Sequence, residues 1–165
     1  MHKPVGSAHE QQVSALRTAK NRLEYLTPND WSLILDKSKP QTFKKGERLV
    51  EQGKQTRALY LLGSGKVNIS VAGVRIAQIG PGEVCGDMAF LENSVPSATA
   101  VADEDVEAYT LEWSSLESLF ELFPHLASRF YRSLAVNLSR RLRDQIGAQR
   151  SVKQTAVPQR EPSGK

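Results

Sequence analysis

The spacing of apolar residues changes twice along the chain. In residues 10–25 (EQQVSALRTAKNRLEY), Val13, Leu16 and Leu23, with Leu26 just beyond, fall at roughly helical spacing and predict a first helix. The next residues, TPND, read as a helix start: Thr27 as N-cap, Pro28 at the first helical position and Asp30 near the free amides of the first turn. A second helix over about 28–37 then carries Trp31, Leu33, Ile34 and Leu35. From Gln41 the apolar runs shorten to RLVEQ, ALYLL, KVNISV, VRIAQI, SATAVA and VEAYTL, and eight of the eleven glycines lie between Gly46 and Gly86. Short runs with glycine-marked turns predict an antiparallel barrel or jelly roll. Ala72-Gly73, between Val71 and Val74, suits a two-residue hairpin turn.

Helical spacing returns at Glu112. Trp113, Leu116, Leu119, Phe120 and Phe123 outline a helix ending near Pro124. A longer helix over about 125–146 carries Leu126, Phe130, Leu134, Leu138, Leu142 and Ile146, a stripe expected to bury one face. The expected organisation is a disordered start (1–9), one domain (10–146, with the barrel at about 41–111 and the last helices at about 113–146) and a disordered basic tail (147–165). No internal repeat is present.

Charge sharpens this picture more than bulk composition does. Between Ile76 and Ser128 there is no Lys or Arg, against ten Asp and Glu; the remainder holds all 22 bases and eight acids, a net of +14. Halves of opposite sign suit a steering surface or a charged partner, and an anion site in the acidic half works against its own field. The lone Cys85 excludes an intramolecular disulfide and reads as a small buried filler. The start, MHKPVGSAHEQQ, lacks a signal-peptide core and no run is long enough to span a membrane, so cytoplasmic residence is expected.

Taken in order, FKKGERLVEQG, LYLLGSGKV, IGPGEVCGDMAFL and SATAVAD, with glycines at 46, 53, 65, 82 and 86, make the chain resemble the cyclic nucleotide-binding domain. That domain occurs in bacterial catabolite-activator-type regulators and in the regulatory subunit of cyclic-AMP-dependent kinase. The resemblance covers about residues 20–146. It implies an α+β, mainly β fold: an eight-stranded antiparallel β-barrel or jelly roll (a double-stranded β-helix) with N-terminal helices, a short cassette helix and C-terminal helices. It also implies cyclic AMP or cyclic GMP as ligand.

In the family the phosphate lies at the start of the cassette helix. A Glu accepts a hydrogen bond from the ribose 2′-hydroxyl, and an Arg after a Pro contacts the phosphate. Laid on GDMAFLENSVPSAT without a gap, the pattern puts Gly86 on the family glycine and Asp87 on the Glu. Met88 and Ala89 take apolar positions, Pro96 stands on the Arg, and Ser97, Ala98 and Thr99 take the small residues and Thr. Shifting the frame by one pairs Pro96 with the family proline but sets Ser97 on the Arg. The arginine is absent either way. Two hydrogen bonds from a guanidinium are worth roughly 3–6 kcal/mol, or about two to four decades of affinity, and proline has no N–H to offer instead. The bland alternative is that Asp87 only caps the cassette turn, Pro96 starts a strand, and Ser97 and Thr99 are ordinary strand residues. Arg140, Arg141 and Arg143 on the last helix are candidates for the missing charge, or else a solvated face.

The expected function is a non-enzymatic sensor with a degenerate phosphate cassette and weak cyclic-nucleotide binding, signalling through the last helix to an unknown effector protein. That helix is also a candidate homodimer interface. A nucleotide-independent scaffold or dimerisation module is the alternative. The 19 residues after Ile146 are too few for a helix-turn-helix module, so specific DNA binding is not expected. His2, His9 and His125 form no catalytic or metal-ligand spacing.

Overall fold

A computed structural model describes residues 23–155. In chain order the elements are α1 (Pro28–Lys37), β1 (Lys39–Phe43), β2 (Arg48–Val50), β3 (Ala58–Ser64), β4 (Val67–Val71), β5 (Val74–Ile79), β6 (Val84–Cys85), α2 (Asp87–Glu92), β7 (Thr99–Ala102), β8 (Val106–Glu112), α3 (Trp113–Leu122) and α4 (Pro124–Thr155). The strands form two four-stranded antiparallel sheets, β1-β8-β3-β6 and β2-β7-β4-β5. The two faces of β3 build the two layers of core. Leu59 and Leu61 face the helices, with Trp31, Leu116, Phe130 and Leu134. Leu62 faces the opposite sheet, with Phe43, Val67, Ala100 and Val106. The hairpin between β4 and β5 turns at Ala72 and Gly73, both at positive φ (49° and 80°), the two-residue turn whose twist matches its strands.

The start of α1 follows from its sequence. Thr27 Oγ1 accepts the Asp30 N–H (3.1 Å), and Asp30 Oδ2 accepts the Thr27 N–H (2.9 Å), a reciprocal cap with Pro28 behind it. Asp30 is buried and also accepts two hydrogen bonds from Arg129 of α4, at 2.6 and 2.8 Å. These bonds, with those to Thr27, hold the Asp30 carboxyl below its ordinary value of 3.8 against the opposing effect of burial. A depressed carboxylate adds stability that is fully present above the unfolded value and is lost as the pH falls through the folded one. Asp30→Asn is therefore expected to lower the urea midpoint at neutral pH, with a deficit that shrinks as the pH falls below 3.8. A deficit independent of pH would refute this assignment.

One expectation falls mostly outside the described residues, and two need correction. Residues 10–22 of the first predicted helix lie outside the described residues, and residues 23–26 form a turn, closed by the Leu26 N–H on the Leu23 carbonyl (3.2 Å). The last helix does not stop at 146: it runs through Gly147 to Thr155, 32 residues or about 48 Å, so the first part of the expected tail is helical and residues 156–165 lie outside the described residues. Nor does the leucine stripe bury one face. Leu126, Phe130 and Leu134 are buried, whereas Leu142 is 58% and Ile146 43% exposed. Strict four-residue spacing advances about 40° per step around a helix of 3.6 residues per turn, so the stripe winds off the core. No described helix is long and apolar enough to cross a membrane.

Candidate ligand-binding site

The cassette hangs from the short strand β6, which pairs with β3 at Tyr60 and Leu61. Gly86 then turns the chain with φ 87°, where an added Cβ would lie 3.2 Å from the Ala58 carbonyl oxygen, so both conformation and space call for glycine. Six residues of α2 follow, closed by Asn93 in the left-handed region. On the underside of α2, Phe90 stacks parallel to Tyr131 of α4 at 6.0 Å and meets Trp113 and Phe130 edge-on at 5.7 and 6.3 Å. The cassette is thereby packed directly onto the last two helices.

Between α2, the start of β7, the β4–β5 hairpin and α4 lies a cavity of about 590 Å³. The eight residues singled out in the sequence, Gly86, Asp87, Met88, Ala89, Pro96, Ser97, Ala98 and Thr99, all line it. Gly86 occupies the helix cap position with no side-chain cap, so Asp87 is the first helical residue and not the cap. β7 starts at Thr99; Pro96 precedes the strand and Ser97 lies in a bend. The segment is stitched to the turn after β2: the Gly53 N–H donates to the Pro96 carbonyl (2.9 Å), and the Gln52 N–H to Thr99 Oγ1 (3.0 Å). Most of the remaining wall is apolar, including Val71, Ile76, Leu138 and Leu142.

Two charged side chains meet in this cavity. Asp87 is 5% exposed, and its Oδ2 lies 3.6 Å from Arg141 Nη1. Arg141 Nη2 donates to the Val84 carbonyl (3.3 Å), while Asp87 Oδ2 and Arg141 Nε, both buried, have no hydrogen-bond partner. Burial pushes the Asp87 carboxyl up; Arg141 and the backbone N–H groups of Asp87 and Met88 pull it down, and Glu83 pushes it up again. Burial also raises the neighbouring Cys85 thiol to about 12, which keeps it an inert filler at neutral pH.

Of the last-helix arginines, Arg141 alone reaches the cavity. Arg140 pairs with Glu24 (2.8 Å) and Arg143 is exposed. Among the barrel arginines, Arg48 pairs with Glu51 (2.8 Å) and Arg57 lies over the Trp113 ring. The distinguishing signal was in the spacing: Arg141 stands seven residues after the buried Leu134 and three after Leu138, on the inward face, while positions 140 and 143 point elsewhere. The polar lining that sequence reasoning missed is Gln145, one turn beyond Arg141.

Two four-stranded sheets closed by a cassette helix, with a cavity between cassette and last helix, define a β-jelly-roll domain with room for a small ligand. The sequence profile of the cyclic nucleotide-binding domain matches residues 40–122, and the chain belongs to that family. Cyclic GMP-binding protein C of Dictyostelium discoideum is 30% identical over 76% of this chain and 5% of its own length. Glutaminase 2 of Bradyrhizobium diazoefficiens is 34% identical over 73% of this chain and 19% of its own. The chain thus spans at most about a fifth of either curated relative. Among solved structures, the catabolite activator protein of Thermus thermophilus superposes with a TM-score of 0.64 at 31% identity, covering 81% of this chain and 63% of that one.

Proposed function

We propose that the domain is a non-enzymatic sensor in which a small ligand of the cyclic-nucleotide class enters the cavity and is reported by α4. One observation carries this reading: Arg141, a residue of α4, lies 3.6 Å from Asp87 of the cassette inside the cavity, so an occupant touches both elements at once. A ligand favouring one placement of α4 shifts the population toward it. The phosphate side is weakened, since Pro96 occupies the arginine position and offers no donor. Binding of cyclic AMP or cyclic GMP at about 100 times its Kd would stabilise the fold by about 2.7 kcal/mol, which a melting scan reads directly. A melting temperature unmoved by either nucleotide at millimolar concentration removes them as ligands. Leu142 and Ile146, exposed in the second half of α4, favour a second reading in which this helix pairs with another copy or an effector. A strictly monomeric mass by light scattering removes the homodimer.

A further inference from the structure

Where Leu142 and Ile146 leave the core they join other exposed side chains. Tyr131 and Ala135 are also exposed on α4, and at about 100° per residue the four fall within about 60° of one another. They form one apolar stripe along the outer face of the helix. Every residue from Leu142 to Ser151 is exposed. Most of the stability of a helix in a protein comes from packing such a face, so the stripe calls for a covering surface.

The two ends of the stripe differ in charge. At one end the Tyr131 ring lies between Phe90 of α2 (6.0 Å) and Phe120 of α3 (5.4 Å). Burial first, and then the Glu117 carboxylate, push the Tyr131 hydroxyl's pKa up, which sets Glu117 near the ring. Glu121 lies one turn further along α3, and Glu92 ends α2; all three are exposed, in the stretch that has no Lys or Arg. At the other end, residues 140–151 carry Arg140, Arg141, Arg143 and Arg150 against Asp144 alone. A parallel two-fold pair of α4 helices sets each of these arginines level with its own copy. An antiparallel two-fold pair sets the basic end of each helix over the acidic end of the other. Size agrees as well: with Tyr131 opposite Ile146, Ala135 falls opposite Leu142, a small residue facing a large one.

We propose that α4 pairs antiparallel with the α4 of a second copy of this chain, laying its basic second half on the acidic surface formed by α2 and α3. The inference rests on the reading of α4 as a pairing helix, and it fixes the partner and the direction. Sedimentation of the full chain tests it with two charge-reversed variants, Glu117→Lys/Glu121→Lys and Arg143→Glu/Arg150→Glu, all at exposed positions. The native chain is expected to dimerise, and each variant to dimerise about tenfold or more weakly. An equimolar mixture of the two variants is expected to restore the dimer, because a mixed pair meets opposite charge at both ends. Direction is read by mild oxidation of Ala135→Cys mixed with Leu142→Cys. A disulfide between the two variants is expected. Leu142→Cys alone is expected to stay unlinked, since in this register its own copy lies seven residues, or about 10 Å, along the helix. The native Cys85 is buried and does not compete. A monomeric native chain overturns the inference and the pairing reading together. A dimer that either charge variant leaves unweakened, a mixture that fails to restore it, or self-linking of Leu142→Cys overturns the inference and leaves pairing through α4 standing.

Discussion

Pro96→Arg is expected to raise affinity for cyclic AMP by about two to four decades, the value of two charge-assisted hydrogen bonds to a phosphate. Residue 96 is buried on the cavity wall beside Ser97, so a guanidinium introduced there lies at the cavity. Its carbonyl already anchors the segment to the Gly53 N–H, a bond that the substitution leaves intact. The new cation also enters a stretch of 53 residues without any base, where its field is unopposed by like charge except at Arg141. Binding isotherms of the two proteins give the ratio directly. Equal affinities of native and variant proteins for cyclic AMP would show that Pro96 is not the cause of a weak phosphate site.

Phe130→Ala is expected to cost about 3–5 kcal/mol, a large share of the 5–15 kcal/mol that holds a domain together. The ring is fully buried, with ring centroids of Phe120, Phe90 and Tyr131 at 5.2, 6.3 and 6.3 Å. Those neighbours come from α3, α2 and α4, so no single element can relax into the space without pulling on the others. Phe130→Leu, closer in volume, is expected to cost much less, under about 1.5 kcal/mol if the site repacks. Urea midpoints with unchanged slope measure both. A loss below about 1 kcal/mol for the alanine variant would show that the aromatic cluster is looser than these contacts imply.

The parts of the fold legible in the sequence are those where one local signal has one physical meaning. Thr27-Pro28-x-Asp30 marks a helix start because each residue satisfies a different orphaned group, and Ala72-Gly73 marks a hairpin because few residue pairs turn that tightly. β1 was less visible: KPQTF buries only Phe43, so an edge strand leaves little alternation to read. β6, at two residues, is too short for any pattern. Gly147 looked like a helix end, but a glycine costs only about 1 kcal/mol within a helix, too little to stop α4. In the site, the eight cassette positions could be placed because the pattern of the resembled family lies on GDMAFLENSVPSAT without a gap. Choosing Arg141 over Arg140 and Arg143 required knowing which face of α4 is inward, and the drifting leucine stripe obscured that face.

In the proposed function a ligand sits between the cassette and α4 and touches Asp87 and Arg141. The most direct measurement is a two-dimensional 15N NMR titration of the native protein with cyclic AMP and with cyclic GMP, following backbone amides and the arginine Nε–H signals. Saturable shifts are expected at Gly86, Asp87, Thr99 and Leu138, together with a shift of the Arg141 Nε–H as it gains a partner. Saturable shifts confined to residues outside this cavity, with the Arg141 signal unmoved, would contradict it.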